Sequence, residues 1–225
     1  MPQVIALIGG TGAEGRGLAL RFAAAGHEVV LGSRDGARAA EAAAELTTTL
    51  SAAGIAATVR GAENADAATQ ASIVVIVVPY EAHQPTLEAL APALAGKVVV
   101  DAVVPMRFER GPRPVEVAEG SATEQAAALL PASTVVGAFH NVAAAALADL
   151  SETLHQDVLI TADDAEAKAA VSALVTSVPG LRAVDAGPLR YARFVEGITL
   201  LLVGINIRYK AHAGVRIDGL PERAP

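Results

Sequence analysis

The chain is predicted to fold as a doubly wound α/β protein, a parallel sheet with helices on both faces. Three observations carry this expectation. Apolar runs such as VIALI (Val4–Ile8) and IVVIVV (Ile73–Val78) are continuous, the pattern of strands covered on both sides. Alanine-rich helical stretches separate such runs, so strand and helix alternate along the chain. With 52% hydrophobic and 18% charged residues among 225, the chain has the material for a large core.

The elements come in order. Val4–Ile8 opens the sheet, and Ala13–Ala25 reads as a helix closed by Gly26. Glu28–Leu31 is the second strand, a long helix runs to about Leu50, and Ile55–Val59 is the third strand. Ile73–Val78 is stopped by Pro79, which cannot extend a sheet. Helix Glu81–Leu94 and strand Lys97–Val100 come next, then a loop rich in Pro and Arg from Val104 to Pro114. Helix Ala122–Leu130 and strand Thr134–Ala138 resume the alternation. Six parallel strands thus end near residue 150, and residues 1–150 are expected to form one domain.

Past that point the rhythm shortens. Strand Val158–Thr161, helix Asp163–Ser177, strand Arg182–Val184 and a final helix Arg190–Tyr209 make residues 151–225 a small α/β segment docked on the first domain. It is expected to form one wall of a cleft. GITLLLVGINI within the last helix is apolar all round, which predicts burial or contact with a partner chain. A dimer is expected.

Composition excludes several classes of function. A net charge of −7 argues against nucleic acid, whose phosphates need a basic surface. Cysteine is absent, which removes disulfides, thiol nucleophiles and thiolate metal sites. The five histidines show no metal-ligand spacing, so no metal is expected. MPQVIALIGG lacks the features of a secretory signal, and the apolar run Ile198–Ile207 falls short of the about 20 residues that cross a bilayer. A cytoplasmic protein without a membrane partner is expected.

The chemistry-bearing stretch is LIGGTGAEGRG (Leu7–Gly17), five glycines in eleven residues. Gly10-Thr11-Gly12-Ala13-Glu14-Gly15 fits G-x-G-x-x-G between a strand and a helix, the dinucleotide-binding (Rossmann) arrangement. Gly10 permits the turn, Gly12 lets the backbone approach a pyrophosphate, and Gly15 lets the helix lie close to the strand. The helix N-terminus then offers N–H groups and positive partial charge. At the end of the second strand an NAD site carries an acid that accepts from the ribose 2′-hydroxyl. Here stand Ser33 and Arg34, with Arg38 one turn on, a set suited to a 2′-phosphate and hence to NADP. Asp35 is expected to cap the next helix.

Three turns fall at carboxyl ends of parallel strands, where open α/β sheets bind ligands. They carry Val78, Pro79 and Tyr80; Val104, Pro105 and Met106; and His140 with Asn141. His140 reads as a cofactor contact, an acid or a loop cap; His83 reads as a surface residue. No Tyr-x-x-x-Lys pair starts at Tyr80, Tyr191 or Tyr209. Hydride transfer between two redox rings needs none, because its catalysis lies in positioning. No catalytic side chain is assigned.

IALIGGTGAEGRGLALRFAAAGHEVVLGSR, AFHNV, VDAGPLRYARFVE and INIRYKAHAGVR together resemble the NADP-dependent reductases of coenzyme F420, a 5-deazaflavin, and most nearly their bacterial branch. The resemblance spans nearly the whole chain. It implies reversible hydride exchange between nicotinamide C4 and deazaflavin C5. It also implies that Thr11, Gly12, Ala13, Glu14, Ser33, Arg34 and Arg38 hold the NADP phosphates. By the same resemblance Tyr80, Gln84, Met106 and Ala144 line the path from adenine to nicotinamide, and His140, Asn141, Pro188 and Leu189 meet the deazaflavin. Archaeal relatives tend to carry lysine at Arg38, tryptophan at Tyr80 and proline at Ala143. A flavin or ferric reductase, or a non-catalytic NADP sensor, is the alternative on the same scaffold.

Overall fold

A computed structural model describes residues 3–221. Its strands begin with β1 (Val4–Ile8), β2 (Glu28–Ser33), β3 (Val59–Glu63), β4 (Ile73–Ile76) and β5 (Val98–Asp101). Then come the short β6 (Met106–Phe108) and β7 (Pro112–Pro114), and finally β8 (Thr134–Gly137), β9 (Gln156–Thr161) and β10 (Leu181–Gly187). The main sheet holds eight of them in the order β3-β2-β1-β4-β5-β8-β9-β10. From β3 to β8 every pairing is parallel. This is the doubly wound order, with the chain reversing direction across the sheet between β1 and β4.

The continuous apolar strands have the predicted cause. Ile5 and Leu7 enter one buried cluster with Leu18, Phe22 and Leu46, while Ala6 and Ile8 enter another with Ala67, Leu87 and Leu94. Helices α1 (Ala13–Ala24) and α2 (Gly36–Ala52) supply the first cluster; α3 (Asn64–Gln70) and α4 (Tyr80–Leu94) supply the second. Asp35 caps α2 as expected, its Oδ1 accepting from Ala37 N at 2.9 Å and Arg38 N at 3.2 Å.

The third strand lies later than the sequence suggests. Helix α2 runs to Ala52, Ile55 stays partly buried against the core, and the strand occupies VRGAE instead. As the edge strand it needs no apolar run. It needs Gly61, where an added Cβ would sit 2.3 Å from the Ala39 backbone of α2. The loop predicted from Val104 to Pro114 holds a small antiparallel hairpin of β6 and β7.

Beyond residue 150 the strands join the same sheet. β9 lies antiparallel beside β8, meeting it at Gly137–Thr161, and β10 runs parallel to β9. Helices α5 (Ala122–Leu129), α6 (Ala144–Ala148) and α7 (Ala165–Ser177) complete the layers. After a 3-10 turn, Leu189–Tyr191, the last helix α8 (Ala192–Tyr209) buries only Ala192, Val195 and Glu196. Phe194, Leu201, Ile205, Ile207 and Tyr209 on it are exposed. The segment after α8 returns to the sheet: Asp157 N donates to Val215 O at 2.7 Å, and Arg182 donates to the Ile217 and Leu220 carbonyls. Among the described residues no helix is long and apolar enough to cross a membrane.

Gly61→Ala should force α2 off β3 and lower unfolding free energy by about 1–3 kcal/mol. Urea unfolding checks this, and a variant as stable as the wild type would contradict the close approach.

Candidate functional site

The turn between β1 and α1 is built by backbone contact. Gly9 has φ +74°, and Gly10 N donates to both Leu7 O (3.1 Å) and Gly32 O (3.0 Å). A Cβ on Gly15 would lie 2.4 Å from Gly10 Cα, so only glycine lets the helix start this close to the strand. Gly12 differs: a Cβ there would meet nothing nearer than Gly9 O at 3.8 Å, and its φ of −75° suits any residue. The fold does not require a glycine at 12, and the missing side chain leaves the space over the turn open. Thr11, Gly12 and Ala13 therefore present backbone at a helix N-terminus over open space, as an anion site requires. Asn64 supports the turn, its Oδ1 accepting from Gly9 N at 3.3 Å.

Ser33 ends β2 and is buried; its hydroxyl accepts from Asp35 N at 3.2 Å. Arg34 and Arg38 are exposed, and among the described residues no acid pairs with either. Ser33 and Arg34 line a pocket of about 390 Å³ with Asn64, Pro85 and Thr86. Arg38 does not line this pocket; the Arg34 guanidinium and the Ser33 hydroxyl that do are groups able to bind a dianionic phosphate.

A larger cavity of about 680 Å³ opens at the carboxyl ends of the strands. Of the expected residues, it brings together Glu14, Val78, Pro79, Tyr80, Val104, Met106, His140, Asn141 and Ala144. Gln84 instead bonds Glu88 at 2.8 Å, Pro105 stays in its turn, and Pro188 and Leu189 lie on the 3-10 turn away from the cavity wall. The opposite wall comes from α8 and the segment after it: Thr199, Leu202, Val203, Asn206 and Ile207, then Ala211, His212 and Ala213. None of these is assigned by the sequence. The INIRYKAHAG motif marks the segment but not its part in the cavity.

Two buried polar networks hold the walls. His83, which reads from the sequence as a surface residue, is fully buried: Nε2 lies 3.0 Å from Asp101 Oδ2 and Nδ1 lies 3.1 Å from Gln125 Oε1. Burial opposes its charged form, but the Asp101 charge and the bonds to Asp101 and Gln125 outweigh burial and raise its pKa. Asp101 also accepts from Val103 N at 3.1 Å, which shapes the turn before Val104. The ring of Tyr80 stacks on His83 at 6.1 Å.

The second network ties α8 to the body. Glu196 accepts from Ala122 N (3.1 Å), Thr123 N (3.0 Å) and Thr123 Oγ1 (2.9 Å), capping α5 from a distant helix. Asn141 Nδ2 donates to Val195 O and Thr199 Oγ1, both at 2.9 Å, and Thr199 donates to His140 O at 2.7 Å. A lone glutamate in an apolar helix is the available signal for this anchor. Burial pushes the Glu196 carboxyl up to about 7 despite its three donors, with the Asp101 charge adding to the rise. Burial lowers His140 to about 4, so its ring is neutral at physiological pH and carries no imidazolium proton to donate. Glu14, facing the cavity from the first turn of α1, is pushed up to about 8 by burial. Mostly apolar walls and a few fixed polar atoms suit flat, uncharged rings.

Residues 4–105 match the family described as NADP oxidoreductase, coenzyme F420-dependent. The chain is 42% identical to the F420-dependent NADP reductase of Methanothermobacter thermautotrophicus, across 99% of this chain and 98% of that protein. It is 40% identical to the protein of the same name from Methanocaldococcus jannaschii, across 96% and 98%. A solved structure from Arthrobacter sp. FB24, described as a candidate F420-dependent NADP reductase, matches with a TM-score of 0.77 at 29% identity, over 93% of this chain and 96% of that one.

Because the Glu196 pKa is raised, the native state keeps a proton that the unfolded chain has released between pH about 4.5 and about 7. Its contribution to stability is complete below that window and falls as pH rises through it. His140, lowered, acts with the opposite sign between about 4 and 6.5 in wild type and variant alike. Glu196→Gln should therefore gain stability relative to wild type as pH climbs from about 5 to about 7.5. Urea unfolding across that range measures the difference, and a pH-independent difference would contradict it.

Proposed function

The chain belongs to the family of F420-dependent NADP reductases, and we propose that it transfers a hydride reversibly between NADP(H) and coenzyme F420. The observation that carries this is the pairing of an uncluttered glycine turn with a mostly apolar cavity of about 680 Å³. When both are bound, nicotinamide C4 and deazaflavin C5 exchange the hydride directly, with no activated water or strong base.

The residues of the chain bind, orient and exclude water. Backbone N–H groups of Thr11, Gly12 and Ala13 take the pyrophosphate, with the open space at Gly12 as the supporting fit. Ser33, Arg34 and Arg38 take the 2′-phosphate. Val78, Pro79, Tyr80, Met106 and Ala144 carry the nucleotide toward the sheet edge. Leu202, Val203 and the His140–Asn141 turn form the deazaflavin side. Pro188 and Leu189 do not line this cavity, and contact with that ring would need a partner or a movement of the 3-10 turn. Holding two rings in contact in a dry slot is the whole catalytic task, which agrees with a buried, neutral His140.

The reading includes a homodimer and a cytoplasmic location. Leu201, Ile205 and Tyr209 on α8 stand exposed next to the cavity wall, and a second copy would cover them. Residues 1–150 are the NADP-binding unit, and 151–225 complete the deazaflavin side and the dimer contact. The flavin or ferric reductase and the NADP-sensor alternatives are less favoured, because the relatives matched over nearly their full length are F420-dependent NADP reductases.

The test mixes protein, NADPH and oxidised F420 and follows the deazaflavin absorbance, with NADH and a flavin as comparisons. Wild type should reduce F420 with NADPH. Arg34→Ala with Arg38→Ala should weaken NADPH by at least tenfold and leave NADH nearly unchanged, because a charge-assisted phosphate contact contributes about 1.5–3 kcal/mol. Equal losses for both nucleotides, or turnover of a flavin but not F420, would contradict the reading.

A further inference from the structure

Three residues that line the cavity each carry a buried side-chain atom with no hydrogen-bond partner among the described residues: Glu14 Oε1, His140 Nδ1 and Asn141 Oδ1. Folded chains seldom leave such atoms unmatched, and three on one cavity point to a polar ligand group that completes them. The Asn141 amide is fixed by its donations to Val195 O and Thr199 Oγ1, which leaves Oδ1 free. Glu14 is the least expected of the three. It stands two residues after Gly12 in the glycine turn, yet among the described residues no bond or ion pair engages its side chain, and it lines the cavity with Val78, Ala102 and Ala144.

We infer that Glu14 binds the nicotinamide carboxamide, its carboxyl group pairing with the amide through two hydrogen bonds. The inference rests on the NADP reading above. A primary carboxamide offers an acceptor oxygen and a donor nitrogen on one carbon, and a protonated carboxyl offers the same two functions in reverse. Burial holds the Glu14 proton up to about pH 8, so the complementary form prevails at neutral pH. The phosphate role of this turn stays with the backbone, and the Glu14 side chain adds a contact at the other end of the dinucleotide. Once ionised, the carboxylate would only accept and would repel the amide oxygen.

Other titratable groups share this wall: His140 from the turn after β8, Tyr80 and Glu81 from the start of α4, and His212 from the segment after α8. Arg16, on α1 itself, is paired with Glu45. Comparing wild type with Glu14→Gln cancels their titrations, since glutamine keeps both hydrogen-bonding functions and cannot ionise. Working above pH 7 also avoids the second ionisation of the nucleotide phosphate near pH 6.

The experiment titrates NADPH and 2′-phospho-ADP-ribose, which lacks nicotinamide, by calorimetry from pH 7 to 9.5. Wild type, Glu14→Gln and Glu14→Leu are compared. NADPH affinity of the wild type should fall roughly tenfold over this range, while Glu14→Gln stays flat near the neutral wild-type value. Glu14→Leu should lose roughly tenfold for NADPH at pH 7 and nothing for 2′-phospho-ADP-ribose. Equal loss for both ligands would assign Glu14 to the fold and overturn the inference, as would wild-type NADPH affinity in Glu14→Leu. A wild type that binds both ligands with Glu14→Leu unchanged refutes Glu14 alone; a wild type that binds neither refutes the NADP reading with it.

Discussion

Helix α1 starts against the end of β1 with Gly15 pressed on the backbone of Gly10, closer than any side chain allows. That contact sets the height of the helix over the sheet. It points the free N–H groups of the first turn across the strand ends, and it turns the second helical residue, Glu14, into the cavity. Gly10 in turn is fixed by Leu7 O and Gly32 O, so the turn reads the separation of β1 and β2. The exposed helix N-terminus, the position of Ser33 and the floor of the cavity thus share one origin in backbone sterics.

The other half of the cavity depends on polar anchors. Helix α8 buries little apolar surface against the body, so Glu196 on the α5 N-terminus and Thr199 on the His140 carbonyl do much of the holding. Thr199 holds the turn after β8 directly and Glu196 holds α5 beside it, while Asn141 Oδ1 and His140 Nδ1 of that turn stay buried without partners among the described residues. The wall is fixed at its first turns and exposed along its outer face. The same anchors place a carboxyl of raised pKa within 4.0 Å of a neutral imidazole.

The sheet, the glycine turn and the pocket-edge turns are legible in the sequence because each rests on local pattern: apolar runs, glycine spacing, proline at strand ends. β3 is not, because an edge strand with Gly61 carries packing against α2 in place of an apolar signature. The burial of His83 is hidden because its partners, Asp101 and Gln125, are distant in sequence, and a lone histidine on a helix gives no sign of them. The α8 wall is half visible. Its apolar surface predicts contact, but the face turned to the cavity depends on where Glu196 docks, a tertiary fact. Continuation of the sheet through β9 and β10 likewise depends on one antiparallel step that the spacing of strands does not encode.

Two rings that meet in one dry slot exchange hydrogen without the solvent, and on this direct transfer the whole reading of the cavity stands. NADPH deuterated at both C4 positions, incubated in ordinary water with oxidised F420 and the protein, tests it most directly. Direct transfer predicts deuterium at C5 of the reduced deazaflavin. Reduced F420 carrying solvent hydrogen at C5 would contradict it.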